Sequence, residues 1–97
     1  MMVVLSEQAK INMKRWRSYY RQTFPEGNAN AAAHLAKAVE LLAENAFMGS
    51  PVEGYNLRRY PIHRTSFALI YRVNNDQIEI ARVWDGRKDP QKLHVQQ

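Results

Sequence analysis

The feature that most constrains the fold is a pair of strand-like runs separated by three turn-forming residues. Residues 66–73 read SFALIYRV and residues 77–84 read QIEIARVW, and branched and aromatic side chains of this kind favour β-strands. Asn74, Asn75 and Asp76 lie between the runs, and Asn and Asp tolerate the left-handed backbone that a tight turn requires. The sequence therefore predicts an antiparallel β-hairpin in its second half.

The first part of the chain has helical spacing instead. After a short predicted strand at residues 2–5, Ser6 offers a hydroxyl group that can cap a helix. Apolar residues then recur every three or four positions as far as Tyr20, which places them on one face of a helix. This helix is predicted to stop near Phe24, because Pro25 follows.

An alanine-rich segment predicts a second helix. It begins around Asn28 or Asn30, either of which can cap a helix, and Gly49-Ser50-Pro51 is expected to end it. Alanine favours helix and lets a second helix approach closely. We therefore expect the two helices to form an antiparallel hairpin.

The next segment returns to strand-like residues. Residues 55–62 predict a further strand and residues 63–65 a turn, ahead of the hairpin at residues 66–84. The predicted order is β-α-α-β-β-β. We expect an α+β fold in which an N-terminal strand and a helical hairpin pack on a small antiparallel β-sheet. Residues 1–97 are expected to form a single domain with a polar tail at residues 90–97.

The charge of the chain is uneven. The formal net charge is +5, of which +1 falls in residues 1–54 and +4 in residues 55–97. A basic second half suits an acidic partner such as nucleic acid or an acidic protein segment, although surplus charge also aids solubility. The chain has no cysteine, which excludes disulfides, a thiolate nucleophile and Cys-ligated zinc. No apolar run suits a signal peptide or a membrane span, so we expect a cytoplasmic protein.

The basic residues of the second half are candidates for anion binding. Arg72 and Arg82 lie on the two strands of the predicted hairpin and come close together if they share a face. Neighbouring arginines repel each other unless an anion lies between them, which points to an anionic ligand. The alternative is a surface network of ion pairs with Glu79, Asp85 and Asp89.

Catalytic chemistry has few candidates. His34, His63 and His94 are too far apart in sequence for an HExxH-type zinc site, and no nucleophile-elbow motif accompanies them. We interpret His34 and His63 as surface or interface residues and keep only His94 as a candidate acid or base. No glycine-rich phosphate-binding loop occurs. The sequence therefore predicts no metal site and no cofactor.

Aromatic residues of the first helix are divided between core and surface. Trp16, Tyr19 and Tyr20 lie within one turn and a half of this helix. Because Tyr19 and Tyr20 are adjacent, both cannot point into the core, and one of them is predicted to face a groove or a partner. Aromatic and arginine side chains together also suit stacking on RNA bases, but the pattern is not specific.

Three stretches of the second half carry a resemblance to a known family. They read LRRYPI at residues 57–62, FALIYRV at residues 67–73 and IEIARVWDGRKD at residues 78–89. With the strand and helical hairpin that precede them, they resemble the ParE/RelE superfamily of type II toxin–antitoxin toxins, over residues 2 to about 90. The resemblance implies the same β-α-α-β-β-β fold that the residue patterns indicate on their own.

The superfamily divides by activity. RelE-like members cut mRNA on the ribosome with basic side chains on the sheet and a C-terminal tyrosine or histidine, whereas ParE-like members poison DNA gyrase and are not enzymes. Where RelE-like toxins have a Tyr-Arg pair this chain has Phe67-Ala68, and no tyrosine follows Tyr71. The LRRYP and GRKD segments resemble the ParE-like branch, although Asp85 stands where that branch often has histidine.

The resemblance therefore implies a ParE-like plasmid stabilisation toxin. It would inhibit DNA gyrase, arrest growth and be neutralised by a cognate antitoxin in a hetero-oligomer, with Trp16, Tyr19 and Tyr20 binding the antitoxin. The alternatives are a ribosome-dependent mRNA endonuclease with His94 as its acid–base group, and a decayed toxin that only binds its antitoxin. The residues implied to bind the target or an anion are Arg58, Arg59, Arg72, Arg82, Trp84, Asp85, Arg87 and Lys88.

Overall fold

The computed structural model describes residues 1–23 and 28–85, without the side chains of residues 19–23 and 28–31. Within these ranges the chain forms two helices and five strands, and the predicted α+β class is confirmed. Neither described helix has the length and apolar character needed to cross a membrane. The elements are β1 Met2–Leu5, α1 Glu7–Thr23, α2 Asn28–Glu44, β2 Ser50–Pro51, β3 Arg58–Pro61, β4 Phe67–Asn74 and β5 Gln77–Asp85.

The strands form one sheet in the order β1-β5-β4-β3-β2. β2, β3, β4 and β5 pair antiparallel, and the predicted hairpin is confirmed, with Val73 opposite Ile78. β1 pairs in parallel with β5, so the sheet is mixed and the expectation of an antiparallel sheet fails at this edge. A parallel pair needs a long connection, and the chain between β1 and β5, which contains both helices and strands β2, β3 and β4, supplies it.

The second helix is shorter than predicted. It ends at Glu44, before the Gly49-Ser50-Pro51 segment expected to stop it. Asn45 starts a turn instead, because its Oδ1 accepts a hydrogen bond from the Phe47 N–H at 3.3 Å. Asparagine side chains compete with the helical backbone in this way, and alanine content gave no sign of it.

The strand predicted at residues 55–62 is also shorter. Only Arg58–Pro61 joins the sheet. The chain before it turns tightly, with the Tyr55 N–H donating to the Val52 carbonyl at 3.2 Å. Gly54 has a φ of 84° in this turn, a left-handed backbone that glycine adopts without strain.

Both helices pack on one face of the sheet. Side chains of α1 and α2, among them Trp16 and Leu42, form the main core together with Leu69, Tyr71 and Ile80 of the sheet. These side chains are almost completely buried. Most of the apolar surface that stabilises the fold is therefore removed from water between the helices and this face.

The opposite face carries a second, smaller cluster. It contains Leu57, Ile70 and Ala81, with Val52 and Trp84 packed against them. No helix residue of the described chain belongs to this cluster. We call this side of the sheet the open face.

A β-bulge in β5 decides which side chains reach the open face. The register is regular from the β4–β5 turn to Ile80 and then skips Ala81, so that Arg82 lies opposite Ile70. A shift of one residue moves every side chain beyond it to the other face. Without the bulge Arg82 would point towards the helices; with it Arg82 joins the open face and Val83 joins the core.

Ser6 holds the bulge in place. Its Oγ donates to the Ala81 carbonyl at 2.7 Å and accepts a hydrogen bond from the Ala9 N–H at 3.0 Å. The predicted cap of the first helix is therefore confirmed. The same hydroxyl also gives the carbonyl of the bulged residue, Ala81, a hydrogen-bond donor. One turn further along α1, the Asn12 Oδ1 accepts a hydrogen bond from the Val83 N–H at 3.2 Å.

We predict that Ser6→Ala lowers the free energy of unfolding by about 1–3 kcal/mol, because α1 loses its cap and the part-buried Ala81 carbonyl loses a donor. Urea unfolding measures the change. Ser18→Ala removes a hydroxyl from an exposed position of the same helix and should change the stability by less than about 0.5 kcal/mol. Equal losses in the two variants would contradict the role assigned to Ser6.

Candidate target-binding site

The open face collects three of the arginines predicted to bind a target. Arg59 of β3 and Arg82 of β5 lie on either side of Ile70 of β4, in one row across three strands. Arg72 lies two residues further along β4 on the same face. Neighbouring strands are about 4.8 Å apart, so the backbones of Arg59 and Arg82 are separated by about 10 Å. Side chains as long as arginine can reach one anionic group from such positions.

Trp84 lies beside this basic row. It is opposite Ala68 on β4 and packs against the open-face cluster while remaining partly exposed. An indole ring next to guanidinium groups offers a surface on which a planar group or a cation can stack. The sequence placed Trp84 at the end of its strand beside the arginines, and the structure puts it on the same face as three of them.

Part of the positive charge of the open face is already paired. Arg72 Nε lies 3.1 Å from Glu79 Oε1, and the side chains are 16% and 35% exposed. The ion pairs proposed as an alternative to an anionic ligand are therefore present for this residue. The pair orients the Arg72 side chain on this face.

Arg58 serves a different part of the molecule from Arg59. It lies opposite Tyr71, and its Nη1 donates to the Gly49 carbonyl at 2.7 Å and to the Phe47 carbonyl at 3.4 Å. Its guanidinium carbon is 5.0 Å from the centre of the Phe47 ring. Arg58 therefore fastens the turn after α2 to β3, and no pattern along the chain distinguishes its surroundings from those of the adjacent Arg59.

Tyr71 fastens the same turn from the core. Its buried hydroxyl accepts a hydrogen bond from the Gly49 N–H at 2.9 Å and donates one to the Ala46 carbonyl at 2.8 Å. Burial raises the pKa of the Tyr71 hydroxyl, partly offset by the Gly49 hydrogen bond and the charge of Arg58. A Cβ at Gly49 would lie 2.6 Å from this hydroxyl, so the close contact between residue 49 and Tyr71 requires glycine.

A small pocket lies where this turn meets the ends of β3 and β4. Its volume is about 220 Å³, and Phe47, Tyr55, Leu57, Arg58 and Arg72 are among its lining residues. Phe47 is 63% exposed and Tyr55 39% exposed. We call this the edge pocket; it adjoins the open face through Arg72.

Of the other residues predicted to bind a target, the structure describes Asp85 but not Arg87 or Lys88. Asp85 ends β5 opposite Phe67, at the far end of the hairpin from its turn. Arg87, Lys88 and His94 lie outside the residues that the structure describes, as does Asp89.

Of the residues predicted to bind an antitoxin, Trp16 lies in the core. Trp16 is 2% exposed and meets the Phe67 ring edge-on, with centroids 6.0 Å apart. A partner therefore cannot contact the indole of Trp16 directly, because neighbouring side chains cover it. The side chains of Tyr19 and Tyr20 lie outside the description.

The fold brings together two histidines that the sequence analysis treated as separate. His34 of α2 and His63 of the β3–β4 turn meet edge to face, with ring centroids 5.9 Å apart. Only the tertiary packing pairs them, so no pattern along the chain could have found the contact. The described residues contain no group of three or more histidine, cysteine or carboxylate side chains suited to a metal ion.

The fold and this surface define a class: a small α+β protein with a two-helix crossover on one sheet face and a basic row on the other. The family model for the ParE toxin of the type II toxin–antitoxin system parDE matches residues 3–90. The chain belongs to this family, as the resemblance predicted.

One solved structure supports the fold assignment. A chain of the chromosomal ParDE toxin–antitoxin system from P. aeruginosa is similar to this one, with a TM-score of 0.73 and 23% sequence identity, over 86% of this chain and 92% of that chain. At this identity the likeness concerns the fold. No curated protein sequence matches this chain.

We predict that Tyr71→Phe lowers the free energy of unfolding by about 1–3 kcal/mol, because two buried backbone groups, the Gly49 N–H and the Ala46 carbonyl, lose their partner. Thermal unfolding at neutral pH measures the loss. Tyr60→Phe removes a hydroxyl from a half-buried tyrosine on β3 and should cost less than about 0.5 kcal/mol. A similar loss in both variants would contradict the role assigned to the Tyr71 hydroxyl.

The raised pKa of Tyr71 predicts a dependence on alkaline pH. The unfolded chain releases this proton near pH 10 and the folded chain only at higher pH, so stability falls as the pH rises above about 10. Urea unfolding between about pH 8 and pH 11 should show a steeper fall for the wild-type chain than for Tyr71→Phe. Parallel curves would show that another group is responsible.

Proposed function

We propose that this chain is the toxin of a type II toxin–antitoxin pair that inhibits DNA gyrase without catalysing a reaction. The match of residues 3–90 to the ParE toxin family carries this proposal, and membership of that family implies an antitoxin partner. Three further parts of the proposal are gyrase as the target, growth arrest and plasmid stabilisation. They come from the ParE-like branch that the sequence resembles. We place the pair in the cytoplasm, where gyrase works.

The strand that would carry catalysis in the RNA-cleaving branch supports a non-enzymatic toxin. Ala68 lies on the open-face side of β4, opposite Trp84, and is completely buried. By the resemblance, RNA-cleaving relatives have an arginine at this position. A methyl group can neither donate a proton nor stabilise a phosphorane-like transition state. This position therefore favours binding over RNA cleavage.

The open face is the surface that we assign to the target. Arg59, Arg72 and Arg82 supply positive charge on three neighbouring strands, and Trp84 supplies an aromatic surface beside them. Such a surface attracts DNA phosphates or an acidic protein surface over a distance and then fixes the register of docking. In the sequence Arg87 and Lys88 continue this charge beyond β5.

The antitoxin is expected to be an acidic segment that folds on binding, in a hetero-oligomer with the toxin. A basic chain of 97 residues has a small core, and a partner that binds only the folded state stabilises it further. We assign the part of α1 that carries Tyr19 and Tyr20 to this partner. Co-purification with the product of the neighbouring gene should raise both thermal stability and hydrodynamic size.

Supercoiling by purified gyrase tests the assignment of the target. We expect the wild-type chain to abolish supercoiling and to cause cleaved DNA to accumulate. The double variant Arg59→Ala/Arg82→Ala should need at least about ten times the concentration for the same effect, because two of the charges on the open face are gone. Arg15→Ala removes one charge from an exposed position of α1 and should behave as wild type. Unaffected gyrase would refute the proposal.

A second function has one observation in its favour. The basic row beside Trp84 also suits the backbone and bases of single-stranded RNA. If the chain is an mRNA endonuclease, translating ribosomes will show cut mRNA while gyrase stays active, and His94→Ala will abolish cleavage. A decayed toxin would bind the antitoxin and yet neither arrest growth on expression nor act in either assay.

A further inference from the structure

We propose that the edge pocket binds an acidic peptide segment of a protein partner, with one large apolar side chain inside it and a neighbouring carboxylate at Arg58 and Arg72. The proposal rests on the proposed function in one respect, that the partner is a protein. It assigns a ligand to a site at the sheet edge, which shares Arg72 with the surface that we assign to the target.

The size of the pocket sets the scale of its ligand. Its volume of about 220 Å³ is below the roughly 300 Å³ at the lower end of pockets that enclose a whole small molecule. A space of this size takes a single large side chain. A complete nucleotide would extend well beyond its walls.

The charges around the pocket select a negative group. Arg58 and Arg72 line it, and none of the lining residues within the described chain is a carboxylate. Glu79, on the neighbouring strand, is paired with Arg72 at 3.1 Å. A guanidinium group has five N–H donors, so Arg72 can hold Glu79 and a second carboxylate together.

The rest of the lining is mixed, because Tyr55 and Asn56 carry polar groups beside four apolar residues, Phe47, Pro51, Leu57 and Val73. Leu57 is buried, whereas Phe47 leaves 63% of its surface in water. Burying such a ring against a partner's side chain is favourable by about 25 cal/mol for each Å² removed from water. An inorganic anion would leave these walls wet, whereas an aromatic residue next to a carboxylate would satisfy both parts of the pocket.

The walls are held rigidly before any ligand arrives. Arg58 is fixed by the carbonyl groups of Gly49 and Phe47, and the Tyr71 hydroxyl bonds both Gly49 and Ala46. Binding to a site that is already ordered loses little conformational entropy, which favours affinity. The hydrogen bonds around Gly49 therefore order the walls of the pocket as well as stabilising the fold.

The test uses the purified chain and a fluorescein-labelled peptide with the sequence Asp-Glu-Phe-Glu-Asp, with binding followed by fluorescence anisotropy. We expect saturable binding, reduced at least about tenfold when phenylalanine is replaced by alanine in the peptide and at least as much when its acids become amides. Both peptide controls keep the length and backbone, so they separate the two halves of the proposed recognition.

Variants of the protein locate the peptide. Arg58→Ala and Phe47→Ser should each weaken binding at least about tenfold, whereas Arg15→Ala should leave it unchanged. Because Phe47 is mostly exposed, Phe47→Ser should leave the chain folded. This variant therefore tests the pocket even if Arg58→Ala unfolds the chain. Glu79→Gln removes the carboxylate that shares Arg72 and should strengthen binding.

Three outcomes would overturn the proposal. The peptide fails to bind the wild-type chain, it binds Phe47→Ser as tightly as wild type, or a poly-uridine oligomer binds more tightly with the same dependence on Arg58. The assay contains no gyrase, so a chain that binds the peptide through the pocket but leaves gyrase active refutes only the proposed function. Gyrase inhibition without peptide binding refutes only the pocket.

Discussion

The bulge at Ala81 is the constraint on which the rest of the molecule depends. One extra residue in β5 sends Val83 into the core and Arg82 to the open face, so a single local irregularity serves both packing and surface charge. A bulge leaves polar backbone groups without their usual ladder partners. Ser6 supplies the missing donor from the junction between β1 and α1. The start of the chain thereby decides what its last described strand presents to a partner.

Local patterns predicted the elements of the fold better than their arrangement. The β4–β5 hairpin follows from two runs of β-favouring residues and from Asn75, whose φ of 51° is the left-handed conformation that asparagine tolerates. The end of α2 was predicted too late, because helix propensity says nothing about the Asn45 side chain taking the Phe47 N–H. The parallel pairing of β1 could not be predicted either, since it joins Val3 to Ile78 across most of the sequence.

The candidate site was predictable only as a set of residue types. Counting outward from the turn gives the correct partners near it, but a regular register would place Arg82 on the opposite face from Arg72. The bulge that reverses this depends on a hydroxyl contributed by Ser6, far away in sequence. Likewise, Arg58 and Arg59 are adjacent in the chain, yet one bonds a turn and the other faces solvent. These properties belong to the packed sheet.

The pairing of β1 with β5 also sets when the described sheet can be completed during synthesis. β1 is synthesised long before β5, so Met2–Leu5 has no strand partner until Gln77 to Ile80 have been made. Contacts between such distant segments form late and slowly, because a long loop must close first. A chain interrupted before β5 therefore lacks both its sheet edge and the row that joins Arg59 to Arg82.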